Sequence, residues 1–130
     1  MKRIIILIGV LLSTGCALQQ QKPAPSISAE QAQVIGASIA SYAESLYPPA
    51  HTDLHVSLPA DSDLAQVISD ALKHTGFGVS DAELNDGVPF TAAVELVDQR
   101  AFVRVVTPRR EASCLIEATT PCSWTVRNTP

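Results

Sequence analysis

Leu64, Val67, Ile68, Ala71 and Leu72 fall at positions i, i+3, i+4, i+7 and i+8, the spacing that places five apolar side chains along one side of an α-helix. A helix of this kind is one-sided and has to lie on something. Asp61, Ser62 or Asp63 can cap its start, and Gly76 supplies the left-handed residue that ends it. On its N-terminal side, Leu54-His55-Val56-Ser57-Leu58 alternates apolar with polar residues until Pro59 stops the pattern. On its C-terminal side, Phe77 to Ser80 reads as a short strand. The unit is therefore β-α-β, and Asp81 to Pro89, with Asn85-Asp86-Gly87, is a loop.

Beyond that loop the period stays at two. Phe90, Ala92, Val94 and Leu96 alternate with polar or small residues, Asp98-Gln99 can turn the chain, and Val103 and Val105 alternate with Arg104 in the return strand Ala101 to Thr107. Pro108-Arg109-Arg110 interrupts it, Ser113 to Ala118 forms another strand, and Thr119-Thr120-Pro121 turns into Ser123 to Arg127, with Trp124 and Val126 facing one way. A β-α-β unit followed by a β-meander gives an α+β fold with one or two helices on an antiparallel or mixed sheet. No internal repeat is present.

An earlier helix is expected from Ser28, which with Gln31 makes an S-x-x-Q capping box, to Leu46, where Pro48-Pro49 forbids continuation. Ile35, Ile39, Tyr42 and Leu46 share one narrow stripe; the opposite side is Ala, Ser and Gln, with Gly36 inside. Two roles fit such a helix: a satellite packed on the domain, or a docking element for another subunit. The stripe residues are accordingly the candidate partner-binding set, and the chain divides into a helix at 28–47 and a small domain at 51–130.

The first residues carry a different message. Met1-Lys2-Arg3 precedes an apolar run from Ile4 to Leu12, and Leu12-Ser13-Thr14-Gly15-Cys16 follows. A basic start and an apolar stretch of about 7–15 residues mark an export signal, too short to span a bilayer, which takes about 20. Small residues at Thr14 and Gly15 admit a peptidase, and the Cys16 thiolate can accept a diacylglyceryl group. Residues 1–15 are thus read as a signal peptide, and 16–27, with three glutamines, Pro23 and Pro25, as a lipidated extended tether. Leu normally stands three residues before the lipidated cysteine, whereas here Ser13 does and Leu12 lies one further back. Ala17, rather than Asp, follows Cys16, which favours an outer-membrane destination facing the periplasm.

Loss of residues 1–15 removes Lys2 and Arg3 and no acid, so a formal charge of −4 becomes −6. Such a surface is a poor partner for nucleic acid or anionic headgroups, so attachment would rest on acyl chains. With Cys16 lipidated, Cys114 and Cys122 remain, and in an oxidising compartment they are expected to pair as a disulfide.

Catalytic and metal chemistry find little purchase. His51 and His55 have H-x-x-x-H spacing, but that aligns two ligands only on a helix, and His74 is remote. Asp61-Ser62-Asp63 opens like a calcium loop, yet its fifth and twelfth positions would be Ala65 and Leu72, which cannot coordinate a cation. There is no G-x-S-x-G, so no nucleophile stands out, and no cofactor is implied. Arg109-Arg110-Glu111 reads as a solvated loop tip, or as a basic spot that meets an acidic partner.

The Cys16 signal, the Gln/Pro tether, a helix ending in Leu46-Tyr47-Pro48-Pro49-Ala50, a strand with Leu54 and Leu58, and D-L-A-Q-V-I-S-D-A-L-K-H-T-G-F from Asp63 to Phe77 together resemble the TrbH family of conjugal transfer lipoproteins. The resemblance covers most of the chain beyond the signal and implies a structural component of a conjugative type IV secretion channel, anchored in the outer membrane and contacting channel subunits. The β-α-β-meander order is also similar to secretin-type periplasmic ring domains, an analogy of fold alone that brings with it a homo-oligomeric ring. The alternative from another class is an exclusion-type or inhibitor-type periplasmic lipoprotein that binds another envelope protein. A peptidoglycan hydrolase is the enzymatic alternative, disfavoured by the missing nucleophile and metal ligands.

Overall fold

The structure, a computed structural model, describes residues 27–81 and 86–129. Two helices lie on one face of a six-stranded mixed sheet. In chain order these are α1 (Ala29–Leu46), β1 (Asp53–Ser57), α2 (Ser62–Thr75), β2 (Gly78–Ser80), β3 (Val88–Val97), β4 (Arg100–Thr107), β5 (Arg110–Glu117) and β6 (Thr125–Asn128). A single 3₁₀ turn, Pro49–His51, joins α1 to β1. The strands order as β2-β1-β3-β4-β5-β6, with β1 parallel to both neighbours and every other pair antiparallel. This is the α+β arrangement read from the sequence.

Local signals set the element ends. Ser28 Oγ accepts from the Gln31 N–H at 3.1 Å, and Asp61 Oδ1 accepts from the Asp63 and Leu64 N–H groups at 3.0 and 3.2 Å, each satisfying donors that a helix start leaves open. Capping is therefore what Asp61 does. Gly76 ends α2 with φ of +115°. Asp98 and Gln99, at φ of 49° and 68°, make the two-residue β3–β4 turn whose twist suits a hairpin. The strand β5 starts at Arg110, earlier than expected, because Pro108 and Arg109 form a tight turn and Arg110 already pairs with Thr107.

Leu64, Ile68 and Leu72 of α2 point to the sheet and are buried, while Val67 and Ala71 face α1. The helices run side by side with the same polarity: Gly36 meets Val67 and Ala71, Ala40 and Glu44 share a furrow with Asp70 and His74, and Pro49 abuts Gly76 at their common C-terminal end. Beneath them, Leu54, Val56, Phe90, Ala92, Ala101, Val103, Val105, Ala112 and Ile116 line the covered face of the sheet. Ile35, Ile39 and Ala43 of α1 belong to this same core. The helix expected at 28–47 thus shares one core with the segment expected at 51–130.

Cys114 and Cys122 are joined by a disulfide with Cα atoms 5.6 Å apart, which ties the segment after β5 back across the sheet. From there the Cys122 N–H donates to Ser38 Oγ at 3.5 Å, and the Trp124 ring packs against Tyr42 with centroids 5.0 Å apart. Val126 lies opposite Ala112 on the helix side but is 47% exposed.

Candidate interaction surfaces

The stripe assigned to docking lies inside the molecule. Ile35 and Ile39 are fully buried, Tyr42 is 7% exposed, and Leu46 is half-buried against the core. A partner reaching Ile35 or Ile39 would first have to lift α1 off the sheet. Of the two roles open to this helix, the packing is that of one laid on the domain: α1 also buries Ala32, Gly36, Ser38, Ala40 and Ala43 beside the stripe. What α1 offers to solvent is a shallow furrow of about 590 Å³ shared with α2, where Gln33, Ser41, Glu44 and Asp70 stand beside Ala37 and Ala71.

The opposite face of the sheet carries no helix. Register places Val97, Phe102 and Leu115 there, with Phe102 directly opposite Leu115 and also opposite Glu95 across the other neighbour. Their exposures of 45%, 37% and 43% form a modest apolar patch. Ion pairs flank it. Arg100 meets Glu117 at 3.2 Å, while Glu111 receives Arg104 at 2.6 Å and Arg127 at 3.3 Å. The hydrogen bond from Arg104 holds the Glu111 carboxyl below its ordinary value of 4.5, with the charges of Arg104 and Arg127 acting the same way. These three arginines are thereby committed to lateral contacts along the sheet.

Arg109 and Arg110 are not. They sit at the β4–β5 turn, at the end of the domain where α1 finishes, and among the described residues neither makes an ion pair. Beside them is a groove of about 470 Å³ bordered by Ser45, Leu46, Tyr47, Val88, Thr107 and Pro108. Arg110 lies near enough to Tyr42 for its charge to act on the phenol, whose pKa burial nevertheless raises.

The remaining sequence candidates do not converge. His51 is exposed in the 3₁₀ turn, His55 points to the open face of β1, and His74 is exposed near the end of α2. Among the described residues, no three His, Cys, Asp or Glu side chains come close enough to hold a metal ion, and no helix is long and apolar enough to cross a membrane. Cys16, the lipidation candidate, lies outside the described residues. Val97, Phe102 and Leu115 formed no part of the sequence reading, and only the register brings them to one face. The groove at Leu46, Tyr47 and Val88 had no sequence signal, since its walls come from three distant segments.

A search of curated proteins found no significant match, and neither did a search of solved structures. The family described as conjugal transfer protein TrbH matches residues 13–125, a span that takes in Cys16, both helices and all but the end of the sheet. The chain belongs to the TrbH family, and its work lies in conjugal transfer.

Proposed function

We propose that the protein is a lipoprotein of the outer membrane that serves as a structural component of a conjugative type IV secretion channel. The observation that carries this reading is the family match, whose span begins at Ser13 and so includes Cys16 within the run Ser13-Thr14-Gly15-Cys16. Lipid at Cys16 would hold the chain in the membrane, since each buried CH₂ contributes about 0.8 kcal/mol and two or more chains anchor stably. The residues from Ala17 to Pro25 would then space the domain from the bilayer, and the domain would bind its neighbours through surfaces rather than through a reacting centre.

Contacts of this kind call for exposed apolar area inside a polar rim, and Val97, Phe102 and Leu115 between the Arg100–Glu117 and Arg104–Glu111 pairs have that composition. Affinity purification of the lipidated protein from conjugating cells tests the reading. Channel subunits should be recovered in fixed ratio with it, and the same cells lacking the protein should transfer DNA poorly. Recovery of the protein alone, with undiminished transfer in its absence, would contradict the assignment.

A further inference from the structure

Six lysines and arginines lie among the described residues of this acidic chain, and three of them, Arg100, Arg104 and Arg127, are engaged by Glu111 and Glu117. Lys73 stands alone on α2. Arg109 and Arg110 are the adjacent pair left without an acidic partner, and hydrogen bonds hold their backbone carbonyls in place. They are set by a two-residue turn, with the Arg109 carbonyl accepting from the Thr129 N–H at 3.0 Å and the Arg110 carbonyl accepting from Thr107 Oγ1 at 3.3 Å. Both guanidinium-bearing residues border the groove of about 470 Å³ whose walls include Leu46, Tyr47, Val88 and Pro108. Both also border a second hollow toward Asn128 and Thr129, so the pair is accessible from two sides.

Position in the fold adds to this. The chain enters α1 at Ser28, and the 18 residues of the helix carry it about 27 Å, at about 1.5 Å per residue, to the end where Leu46 and the arginine turn lie. The groove is thus at the opposite end of α1 from Ser28, where the helix begins.

We propose that this groove docks an acidic peptide segment of a partner protein, with Arg109 and Arg110 receiving its carboxylates and Leu46, Tyr47 and Val88 taking an apolar side chain between them. Arginine is suited to this task because its planar fork binds a carboxylate through two parallel hydrogen bonds. Charge complementarity favours a peptide over nucleic acid: among the described residues of this acidic chain, Arg109-Arg110 is the one adjacent pair of cations without an acidic partner, too few positive charges to hold a phosphate backbone. The docking rests on the scaffold reading only in taking the partner to be a component of the transfer apparatus.

The test uses the full-length protein in detergent and a fluorescent peptide of alternating Glu and Phe as the probe. Binding should be saturable and should weaken as salt rises, since the Debye length shortens from about 10 Å at 0.1 M to about 3 Å at 1 M. Arg109→Gln with Arg110→Gln should weaken it about tenfold or more at unchanged melting temperature, and the double Lys variant should retain part of it. Tyr47→Ala should weaken binding of the Glu-Phe peptide more than that of a Glu-Ser peptide. Absence of binding, equal binding by a Lys-Phe peptide, or equal affinity in the double Gln variant would overturn the proposal. So would tighter binding to single-stranded DNA or to vesicles of phosphatidylglycerol. Because this assay needs neither membrane nor channel, its failure is separable from failure of the lipoprotein reading, which fractionation of Cys16→Ser decides.

Discussion

Gly36 of α1 faces Val67 of α2 so closely that a Cβ on the glycine would lie 3.1 Å from Val67 Cγ1 and 3.2 Å from the Val67 carbonyl oxygen. The contact is what lets two parallel helices share one face of the sheet. Gly36→Ala trades about 1 kcal/mol of helix propensity against this crowding and should change stability by less than about 1 kcal/mol. Gly36→Leu has no room at all and should destabilise by about 1–3 kcal/mol, seen as a lower denaturant midpoint with an unchanged slope. A fully stable Gly36→Leu protein would mean that the helices do not pack at this point.

Ile39 and Ile68 lie in the same core although one belongs to the first helix and the other to the second. Truncating either to Ala should cost about 2–5 kcal/mol, as removal of buried aliphatic groups does. Ile39→Asp should unfold the domain outright, since a carboxylate there would have no water and no partner. A melting temperature insensitive to Ile39→Asp would return α1 to the role of a detachable docking helix.

The disulfide between Cys114 and Cys122 closes a short loop and anchors Trp124 against Tyr42. Replacing both cysteines with Ala should cost about 2–3 kcal/mol through the freedom restored to the unfolded chain. Thiol titration of the unfolded, unreduced protein should find neither Cys114 nor Cys122 reactive. Two free thiols at these positions would contradict the bond.

Glu111 is held below its ordinary value by Arg104, so its contribution to stability is present above the pKa it has in the unfolded chain. That contribution is lost as the pH falls below about 4.5, through the lower folded value. Glu111→Gln should therefore lower the melting temperature at neutral pH, with the difference from wild type closing as the pH falls through the folded value and the acid limb flattening accordingly. An identical acid limb in wild type and variant would show that the Arg104–Glu111–Arg127 cluster is not formed in solution.

Much of this architecture could be read from periodicity, and the misreadings have definite causes. The Leu64 to Leu72 stripe and Gly76 define α2 because large apolar residues at helical spacing admit one orientation. Asp98-Gln99 marked its hairpin because Asp tolerates positive φ better than most residues. The first helix was harder. Its buried surface is largely Ala32, Gly36, Ala40 and Ala43, and small side chains carry a weak apolar signal while allowing the closest backbone approach. Ile35, Ile39, Tyr42 and Leu46 therefore looked like an isolated stripe when they are half of a continuous buried face. Arg109 and Arg110 were visible as a basic spot, but the groove beside them is built by Leu46, Val88 and Pro108 from segments about 20 to 60 residues apart in sequence, and no local pattern reports a long-range wall of that kind.

Attachment to the outer membrane would rest on lipid at Cys16. Membrane fractionation of cells making wild type or Cys16→Ser, in a host without the rest of the transfer apparatus, addresses it most directly. Wild type should sediment with the outer membrane and the serine variant should be lost from that fraction, with DNA transfer falling in parallel when the apparatus is present. A Cys16→Ser protein that still co-sediments with the outer membrane and supports normal transfer would contradict the account.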